Sequence, residues 1–432
     1  MQHPHKQHPL HRYRLFLWFI ALSLLARVTV FVRQRSTAQF KSIDTLRMID
    51  KFAMAEIFLL GMCILAIIIS PRLLKAGSVI RSSSIKYFLA YYIICMASTF
   101  WSFFQKFTFF RSGEMIALIL LALLAMIHYE DFFSAERAYL FVSLIAVLFG
   151  IFMHLKLASY RLSMGTLHTN QYSAISAMAF AYCLAERFNA GTARKKFLTR
   201  LAVVFAFFTF IGTSATSNVA AATGFLIVFA LMRTSKFELI FFISMGVLVL
   251  YLSGSFDQFW MDTLFPGKTR HDLISLSGRK FIWTAYTKLI ASQPFKGYGF
   301  ATVSRMGAFW GIRTETHPHN GIIQILLGTG LTGGSVFLFW LIWISREILQ
   351  GYKNHKIGIT GFIGAFVVAM VNNMGRSMIG GTFDAPSFVF LVLLSFFIVH
   401  IRVQARATAP DKNKTPLPIQ KHPQISRITR IK

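Results

Sequence analysis

The stretch FAMAEIFLLGMCILAIIIS, residues 52–70, decides the fold, because it is almost wholly apolar and carries Glu56 as its one charged residue. Wound as an α-helix, such a run is long enough to cross the hydrocarbon layer of a bilayer, which is roughly 30 Å thick. Comparable runs occur at Phe237–Ser253 and Pro386–Ile401. An open sheet could not replace these helices, because its edge groups would stay unpaired in lipid. The sequence therefore predicts a membrane protein built of apolar helices.

The composition of the whole chain agrees with this class. Hydrophobic residues make up 55% of the 432 residues and charged residues 14%, whereas soluble proteins carry about 25% charged residues. The net charge of +29 is scattered over short loops and the C-terminal tail, as in the cytoplasmic segments of membrane proteins. Because the charge forms no single patch, we expect no nucleic-acid partner. Cys63, Cys95 and Cys183 lie in apolar runs and are expected to be buried hydrophobic residues.

Hydropathy predicts an all-α polytopic integral membrane protein with about twelve transmembrane helices. The boundaries are expected to be accurate to about four residues. The predicted spans lie near residues 15–32, 52–70, 87–104, 114–128, 138–157, 171–185, 199–212, 219–232, 237–253, 320–345, 357–374 and 385–403.

Lysine and arginine residues predict the orientation of these spans, because basic loops tend to stay in the cytoplasm. The C-terminal tail and the loop 186–200 are both basic and are predicted to be cytoplasmic. The loop 33–51 is also basic, yet the same alternation of spans places it outside. The predicted organisation is a cytoplasmic tail at 1–14, transmembrane helices 1–9 at 15–253, one large periplasmic loop with an amphipathic helix at 254–319, helices 10–12 at 320–403 and a basic cytoplasmic tail at 404–432.

The loop 254–319 is the longest polar stretch between spans, and long loops are commonly functional. Its segment 278–291 is amphipathic and predicts a helix that lies on protein or on the membrane surface, with Ser277 as N-cap. Arg279 and Lys280 would then occupy the first turn, where the helix dipole disfavours cations. A bound phosphate group would favour that position. Alternatively, both residues are ordinary solvated charges.

A turn is predicted directly after this helix, in the segment Gln293–Phe300. Pro294 ends the helix, and two glycines favour the turn. Arg305 and Arg313 follow, and each can reach an anion or serve as an ordinary surface charge. Both interpretations are open at this point.

The segment Thr316–Gln324 joins the loop to an apolar span and contains His317 and His319. Asn320 is a candidate N-cap of that span, and His319 precedes it directly. The positive end of a helix disfavours imidazolium, and a neutral imidazole at the interface can accept a proton, although a lone histidine there can also be structural. Small residues further along predict a face for close helix approach. They are Gly328, Gly330, Gly333 and Gly334.

The stretch 278–339 resembles the signature region of the O-antigen ligase and Wzy polymerase superfamily. The family pattern is His, then Asn, Ser or Gln, then nine residues, Gly, two residues and Gly. The residues of this chain that meet it are His319, Asn320, Gly330 and Gly333. The upstream residues Gly278-Arg279, Trp283 and Pro294…Gly297-Tyr-Gly299 match the family's Gly-Arg…Trp…Pro…Gly-x-Gly run in order and spacing.

Two further segments show a weaker likeness. Gly165-Thr-Leu-His-Thr-Asn170 resembles the His-x-Asn element of the family. The segment 213–218 lies where O-antigen ligases usually carry a Ser-Arg pair, whose arginine is thought to hold diphosphate. This chain has no basic residue there, and its Ser/Thr-rich form is more similar to exopolysaccharide polymerases of the superfamily. The missing charge could come from Arg305, Arg313 or Arg376.

The resemblance implies a bacterial inner-membrane glycosyltransferase of GT-C-like fold that moves a glycan from undecaprenyl diphosphate to a sugar hydroxyl. It implies His319 as the catalytic base and Arg279 as the clamp on the diphosphate, because the guanidinium fork suits phosphate oxygens. The residues expected to contact substrate are Asn320, Arg305, Arg313, Trp283, Arg376 and Asn170. No Asp/Glu cluster accompanies the motif, so we expect neither a metal ion nor another cofactor.

Three functions remain open. The leading prediction is a polymerase that joins lipid-linked repeat units in exopolysaccharide or lipopolysaccharide biosynthesis, and its acceptor is another repeat unit. The nearest alternative is an O-antigen ligase, whose acceptor is lipid A-core. A transporter or flippase for the lipid-linked unit should show paired charges deep within several spans, and the predicted spans contain few charges.

Overall fold

A computed structural model describes residues 51–129, 131–156, 169–211, 215–231, 279–302, 318–354, 357–382 and 384–408. Over these ranges all regular structure is helical, as predicted. The helices are α1 (Lys51–Ile68), α2 (Leu73–Ser82), α3 (Ile85–Ala97), α4 (Gln105–His128), α5 (Phe132–Lys156), α6 (Thr169–Glu186), α7 (Thr192–Ile211), α8 (Ala215–Leu231), α9 (Arg279–Ser292), α10 (Gly321–Lys353), α11 (Ile359–Gly375) and α12 (Ala385–Thr408), with 3-10 turns at Ser98–Phe100 and Arg187–Asn189.

Several of these helices can cross a membrane. By length and composition, three in the described ranges qualify: α4, residues 132–151 of α5, and α10. α1 and α2 add a fourth if they count as one broken span, since their apolar parts are bent by 89° relative to each other. Three further apolar helical stretches are shorter, at Ile85–Phe100, Ile359–Gly375 and Ala385–His400. The count of about twelve spans stays a prediction, because the predicted spans 15–32 and 237–253 lie outside the described residues.

Some helices extend well beyond the apolar spans predicted for them. α4 begins at Gln105 rather than near residue 114, and α7 begins at Thr192 rather than near residue 199. α10 continues to Lys353 rather than ending near residue 345. Polar residues occupy these extensions, so the hydropathy signal stops there while the helical hydrogen bonds continue. The helices therefore extend beyond the predicted spans, whose boundaries in the membrane stay predictions.

The core is aromatic where α3 crosses α10. The ring of Trp340, which is buried, lies 4.4 Å from that of Phe88 and 5.1 Å from that of Phe337, measured between ring centroids. α11 and α12 meet through the stacked rings of Phe362 and Phe397, 3.6 Å apart. These contacts fix α10 and its neighbours relative to one another. The three cysteines are free and buried, as expected.

A buried charge network joins helix ends on the side where α11 begins. Arg194 of α7 donates from Nε to Glu136 of α5 at 3.0 Å, and from Nη2 to Glu186 of α6 at 3.1 Å. Glu186 also accepts the backbone N–H of Gly361 in the first turn of α11 at 3.0 Å. Burial opposes the charged guanidinium, but its hydrogen bonds to Glu136 and the negative charge of both carboxylates raise the pKa of Arg194. No sequence pattern indicated a role for these carboxylates, which lie far from Arg194 or from Gly361 along the chain.

Candidate active site

The candidate site is built on the N-terminus of α10, at the end of the bundle opposite to the charge network. Asn320 is the N-cap, as predicted. Its Oδ1 accepts hydrogen bonds from the backbone N–H groups of Ile322 at 2.9 Å and Ile323 at 3.1 Å, which satisfies two donors of the first turn. His319 is half-buried, and its φ of 48° lies in the left-handed region. That conformation costs about 1–3 kcal/mol outside glycine, so surrounding contacts must hold the turn.

Helix α9 confirms the amphipathic helix predicted at 278–291, and its apolar face rests on protein. Ile282 and Tyr286 are buried together with Leu327 of α10. The exposed side chains of Phe281, Thr284 and Lys288 point away from this contact. α9 is therefore docked along the first part of α10.

This docking brings α9 to the His319 turn. Trp283 is half-buried, and its Nε1 donates to the backbone carbonyl of Pro318 at 2.8 Å, directly before His319. Arg279, the first residue of α9, lies one helical turn before Trp283 and so projects from the same face. The two residues that the family pattern names on α9 therefore lie on the face that meets the head of α10.

The turn predicted after α9 forms a loop, residues 293–302, that is inserted into a break in α10; we call it the wedge loop. The break lies at Gly330, whose φ of 62° and ψ of −161° interrupt the helix. The backbone N–H of Tyr298 donates to the carbonyl of Leu327 at 2.8 Å, and the carbonyl of Pro294 accepts from the N–H just beyond the break at 2.7 Å. The wedge loop thus satisfies backbone groups that the break leaves without helical partners.

Two glycines of α10, Gly328 and Gly330, therefore have a role different from the one predicted. A Cβ at Gly330 would lie 2.3 Å from the carbonyl carbon of Phe295, and a Cβ at Gly297 would lie 2.6 Å from the carbonyl oxygen of Leu327. The element that approaches α10 is the wedge loop. At Gly328 and Gly330 the prediction of a face for a second helix was wrong, because backbone of a non-helical segment fills that space, whereas Gly333 and Gly334 lie against side chains of α10 itself.

Buried hydroxyl groups hold the other side of the wedge loop. Ser102 Oγ lies 2.7 Å from both Thr108 Oγ1 and Thr302 Oγ1. Thr108 donates to the carbonyl of Phe300 at 2.8 Å, and Ser98 Oγ accepts the backbone N–H of Phe300 at 2.9 Å. Because Ser98, Ser102 and Thr108 come from the α3–α4 region, that region, the wedge loop and the break in α10 form one packed unit.

A buried amide lies against the first residue of α10. Asn373 of α11 is 2% exposed, and its Oδ1 accepts from the backbone N–H groups of Met378 at 2.8 Å and Ile379 at 2.7 Å. A Cβ added to Gly321 would lie 2.2 Å from Asn373 Nδ2. A side chain at position 321 would therefore displace the Asn373 amide, which connects the head of α10 with the turn after α11. No sequence motif indicated a role for Asn373.

The neighbouring amide brings α8 to the same end of the bundle. Ser217 Oγ donates to Asn372 Oδ1 at 3.0 Å, and Asn372 Nδ2 donates to the carbonyl of Val368 at 3.0 Å. Ser217 and Asn372 are both buried. Ser217 belongs to the segment 213–218, where O-antigen ligases usually carry a Ser-Arg pair. Part of that segment therefore lies beside the end of α11.

Arg376 follows α11 at this end and is paired with a carboxylate. Its Nη2 lies 2.6 Å from Asp384 Oδ2, and both side chains are half-buried. Asp384 also accepts the backbone N–H of Ser387 through Oδ1 at 2.8 Å, in the first turn of α12. An anion bound by Arg376 would share the guanidinium with Asp384.

Other predicted residues lie wholly or partly outside the part of the chain that the structure describes. Arg305, Arg313 and Ser277 fall outside it, and so does His317. Asn170 lies in the first turn of α6, but its side chain is not among those described. Within the described ranges, no group of three or more His, Cys, Asp or Glu side chains could hold a metal ion.

The fold and the site define a helical membrane protein with a polar site at one end of its bundle, and comparison with known families gives that site a class. A family model described as O-antigen ligase matches residues 201–338. The matched segment includes α8, α9, the wedge loop and the first part of α10. The match confirms the resemblance of this segment to the O-antigen ligase and Wzy polymerase superfamily, a family that carries out membrane glycosyl transfer of the ligase or polymerase type. No curated protein matches the chain.

Proposed function

We propose that the protein moves a glycan from undecaprenyl diphosphate to a sugar hydroxyl, and that it polymerises exopolysaccharide or O-antigen repeat units in the bacterial inner membrane. The observation that carries the proposal is the docking of α9 on the His319 turn within the segment matched to O-antigen ligases. This contact brings together two separate pieces of the family pattern. A ligase that transfers glycan to lipid A-core would use the same site.

In the proposed reaction, His319 accepts the proton of the acceptor hydroxyl while the oxygen attacks the anomeric carbon of the donor sugar. The new glycosidic C–O bond forms, the C–O bond to the diphosphate breaks, and undecaprenyl diphosphate leaves with the bonding electrons. Arg279 would offset the charge of the leaving group through its two-pronged guanidinium. Holding donor and acceptor together at one helix head supplies much of the remaining rate enhancement.

The other residues are proposed to bind substrate around this centre. Asn320 Oδ1 already accepts the two capping hydrogen bonds of α10. Its amide NH₂ is therefore the group that would contact a glycan. The N–H of Trp283 already donates to the carbonyl of Pro318, so the face of its indole ring is the surface that would contact a glycan. The remaining proposed contacts are Arg305, Arg313, Arg376 and Asn170.

Purified protein in lipid, supplied only with a lipid-linked repeat unit, is expected to produce longer glycans that remain attached to undecaprenyl diphosphate. The reaction should continue in excess EDTA, because no carboxylate cluster for a divalent ion accompanies the motif. Electrophoresis of the labelled glycan measures both results.

Each alternative gives a different product. Extension only after lipid A-core is added would show a ligase instead of a polymerase. Movement of the repeat unit across the bilayer with no new glycosidic bond would show a transporter. Activity that EDTA removes and magnesium or manganese restores would contradict the metal-independent mechanism.

The site is expected to face the periplasm, with the C-terminal tail in the cytoplasm, because the tail is strongly basic. Alkaline phosphatase fused after Thr269 should therefore be active, and the same enzyme fused to the C-terminus should be inactive. Enzyme activity in whole cells, normalised to the amount of fusion protein, measures the orientation. The reverse pattern would place the site on the wrong side for a periplasmic glycan acceptor.

A further inference from the structure

The backbone on both sides of His319 is held by contacts from two other helices. The left-handed φ of His319 is followed by an extended Asn320, with φ of −154° and ψ of 121°. Such a conformation persists only when its surroundings fix it. Trp283 supplies a contact before the turn and Asn373 supplies one after it.

Trp283 fixes the peptide that leads into His319. Its Nε1 donates to the carbonyl oxygen of Pro318 at 2.8 Å. Because the peptide group is planar, an anchored Pro318 carbonyl also fixes the orientation of the His319 nitrogen. The indole reaches this carbonyl from α9, whose apolar face is buried against α10, so the donor itself has little freedom to move.

Asn373 fixes the residue that follows the cap. Its amide lies against Gly321 so closely that a Cβ there would be 2.2 Å from Nδ2 and 2.3 Å from Oδ1. The amide cannot turn away freely, because Oδ1 accepts two backbone hydrogen bonds from the turn after α11. The N-terminus of α10 therefore packs against the buried Asn373 amide, which its hydrogen bonds hold in place.

We propose that Trp283 and Asn373 are positioning residues, which hold the His319 turn and thereby direct its imidazole toward the acceptor hydroxyl. The inference rests on the proposed function, because it takes His319 as the base. Neither residue needs to touch the reacting atoms. A misplacement of about 1 Å in a catalytic group can cost about 10²-fold in rate.

Trp283→Phe tests the proposal, because phenylalanine keeps an aromatic ring but has no N–H for Pro318. We expect kcat to fall about 10- to 100-fold, with little change in the KM for the lipid-linked donor. Trp343→Phe is the matched control, since Trp343 is a partly exposed indole near the opposite end of α10, and we expect it to keep full activity. Gly321→Ala tests the contact with Asn373, because the added Cβ would displace the amide, and it should give the same loss in kcat. Gly113→Ala is its control, because a Cβ at Gly113 meets open space.

Chemical rescue separates positioning from a general structural role. Added imidazole should restore part of the activity of His319→Ala. Because free imidazole is not attached to the turn, its position does not depend on the contact that Trp283 makes. The double variant Trp283→Phe/His319→Ala should therefore have the same activity as His319→Ala, both with and without imidazole. A further loss in the double variant, or a change in KM alone, would overturn the proposal.

The outcomes also separate this inference from the proposed function. Full activity of His319→Ala would remove the base and the proposed function with it. An inactive His319→Ala together with fully active Trp283→Phe and Gly321→Ala would overturn the positioning role alone. If Trp283→Phe does not accumulate in the membrane, Gly321→Ala measured against Gly113→Ala decides the question.

Discussion

His319→Ala is expected to remove polymer from cells while the amount of protein in the membrane stays constant. Loss of a general base lowers the rate by about 10²–10⁴-fold. The protein should still fold, because Asn320 caps α10 through its own side chain and does not depend on the imidazole. Polymer on gels and protein on blots from the same cells measure the two quantities, and purified protein gives the rate.

His317→Ala is the matched control, because it removes a nearby histidine that lies outside the family pattern, and it should keep substantial activity. Arg279→Lys should have low activity, as His319→Ala does, since a point charge cannot replace a bidentate guanidinium fork. If His317→Ala abolished polymer and His319→Ala spared it, the catalytic base would have been assigned to the wrong histidine. If both variants made a normal amount of polymer, the transporter hypothesis would gain support.

Arg194→Ala is expected to destabilise the protein strongly. It leaves Glu136 and Glu186, which are 2% and 0% exposed, buried without their cation. Breaking a buried ion pair by removing one partner costs about 3–5 kcal/mol. We expect much less protein in the membrane and a lower unfolding temperature in detergent, measured by fluorescence-detected size-exclusion chromatography after heating.

Arg200→Ala makes the same change of charge at an exposed position of α7 and should leave stability nearly unchanged. The triple variant Arg194→Met/Glu136→Gln/Glu186→Gln should recover much of the loss, because no uncompensated charge remains buried. Equal stability of Arg194→Ala and Arg200→Ala would show that the network contributes little. A triple variant as unstable as Arg194→Ala would assign the loss to packing of the arginine.

Local patterns in the sequence predicted the parts of the site that are formed by local interactions. The Asn320 cap bonds to residues two and three positions later, and the amphipathic face of α9 follows from the helical period. Both features are encoded within one or two helical turns. Apolar runs predicted the other helices for a similar reason, because a segment in lipid must form its backbone hydrogen bonds within itself.

Contacts between distant segments could not be predicted in this way. The loop that breaks α10 at Gly330 comes from more than 25 residues upstream, and Asn373 reaches Gly321 from another helix. Arg194 meets Glu136 across 58 positions of sequence. Glycine spacing alone does not distinguish a helix from a loop as the approaching partner, which is why the small-residue face of α10 was misassigned at Gly328 and Gly330.

The break at Gly330 makes the length of the segment before it as important as its composition. Nine residues lie between Asn320 and Gly330, and each residue of an α-helix turns the chain by about 100° and advances it by about 1.5 Å. One residue gained or lost there would swing the His319 turn around the axis of α10, away from Trp283 and Asn373, while the wedge loop kept its place. During evolution, the residues between the cap and the break can therefore change identity where packing permits, whereas insertions and deletions among them are expected to be eliminated.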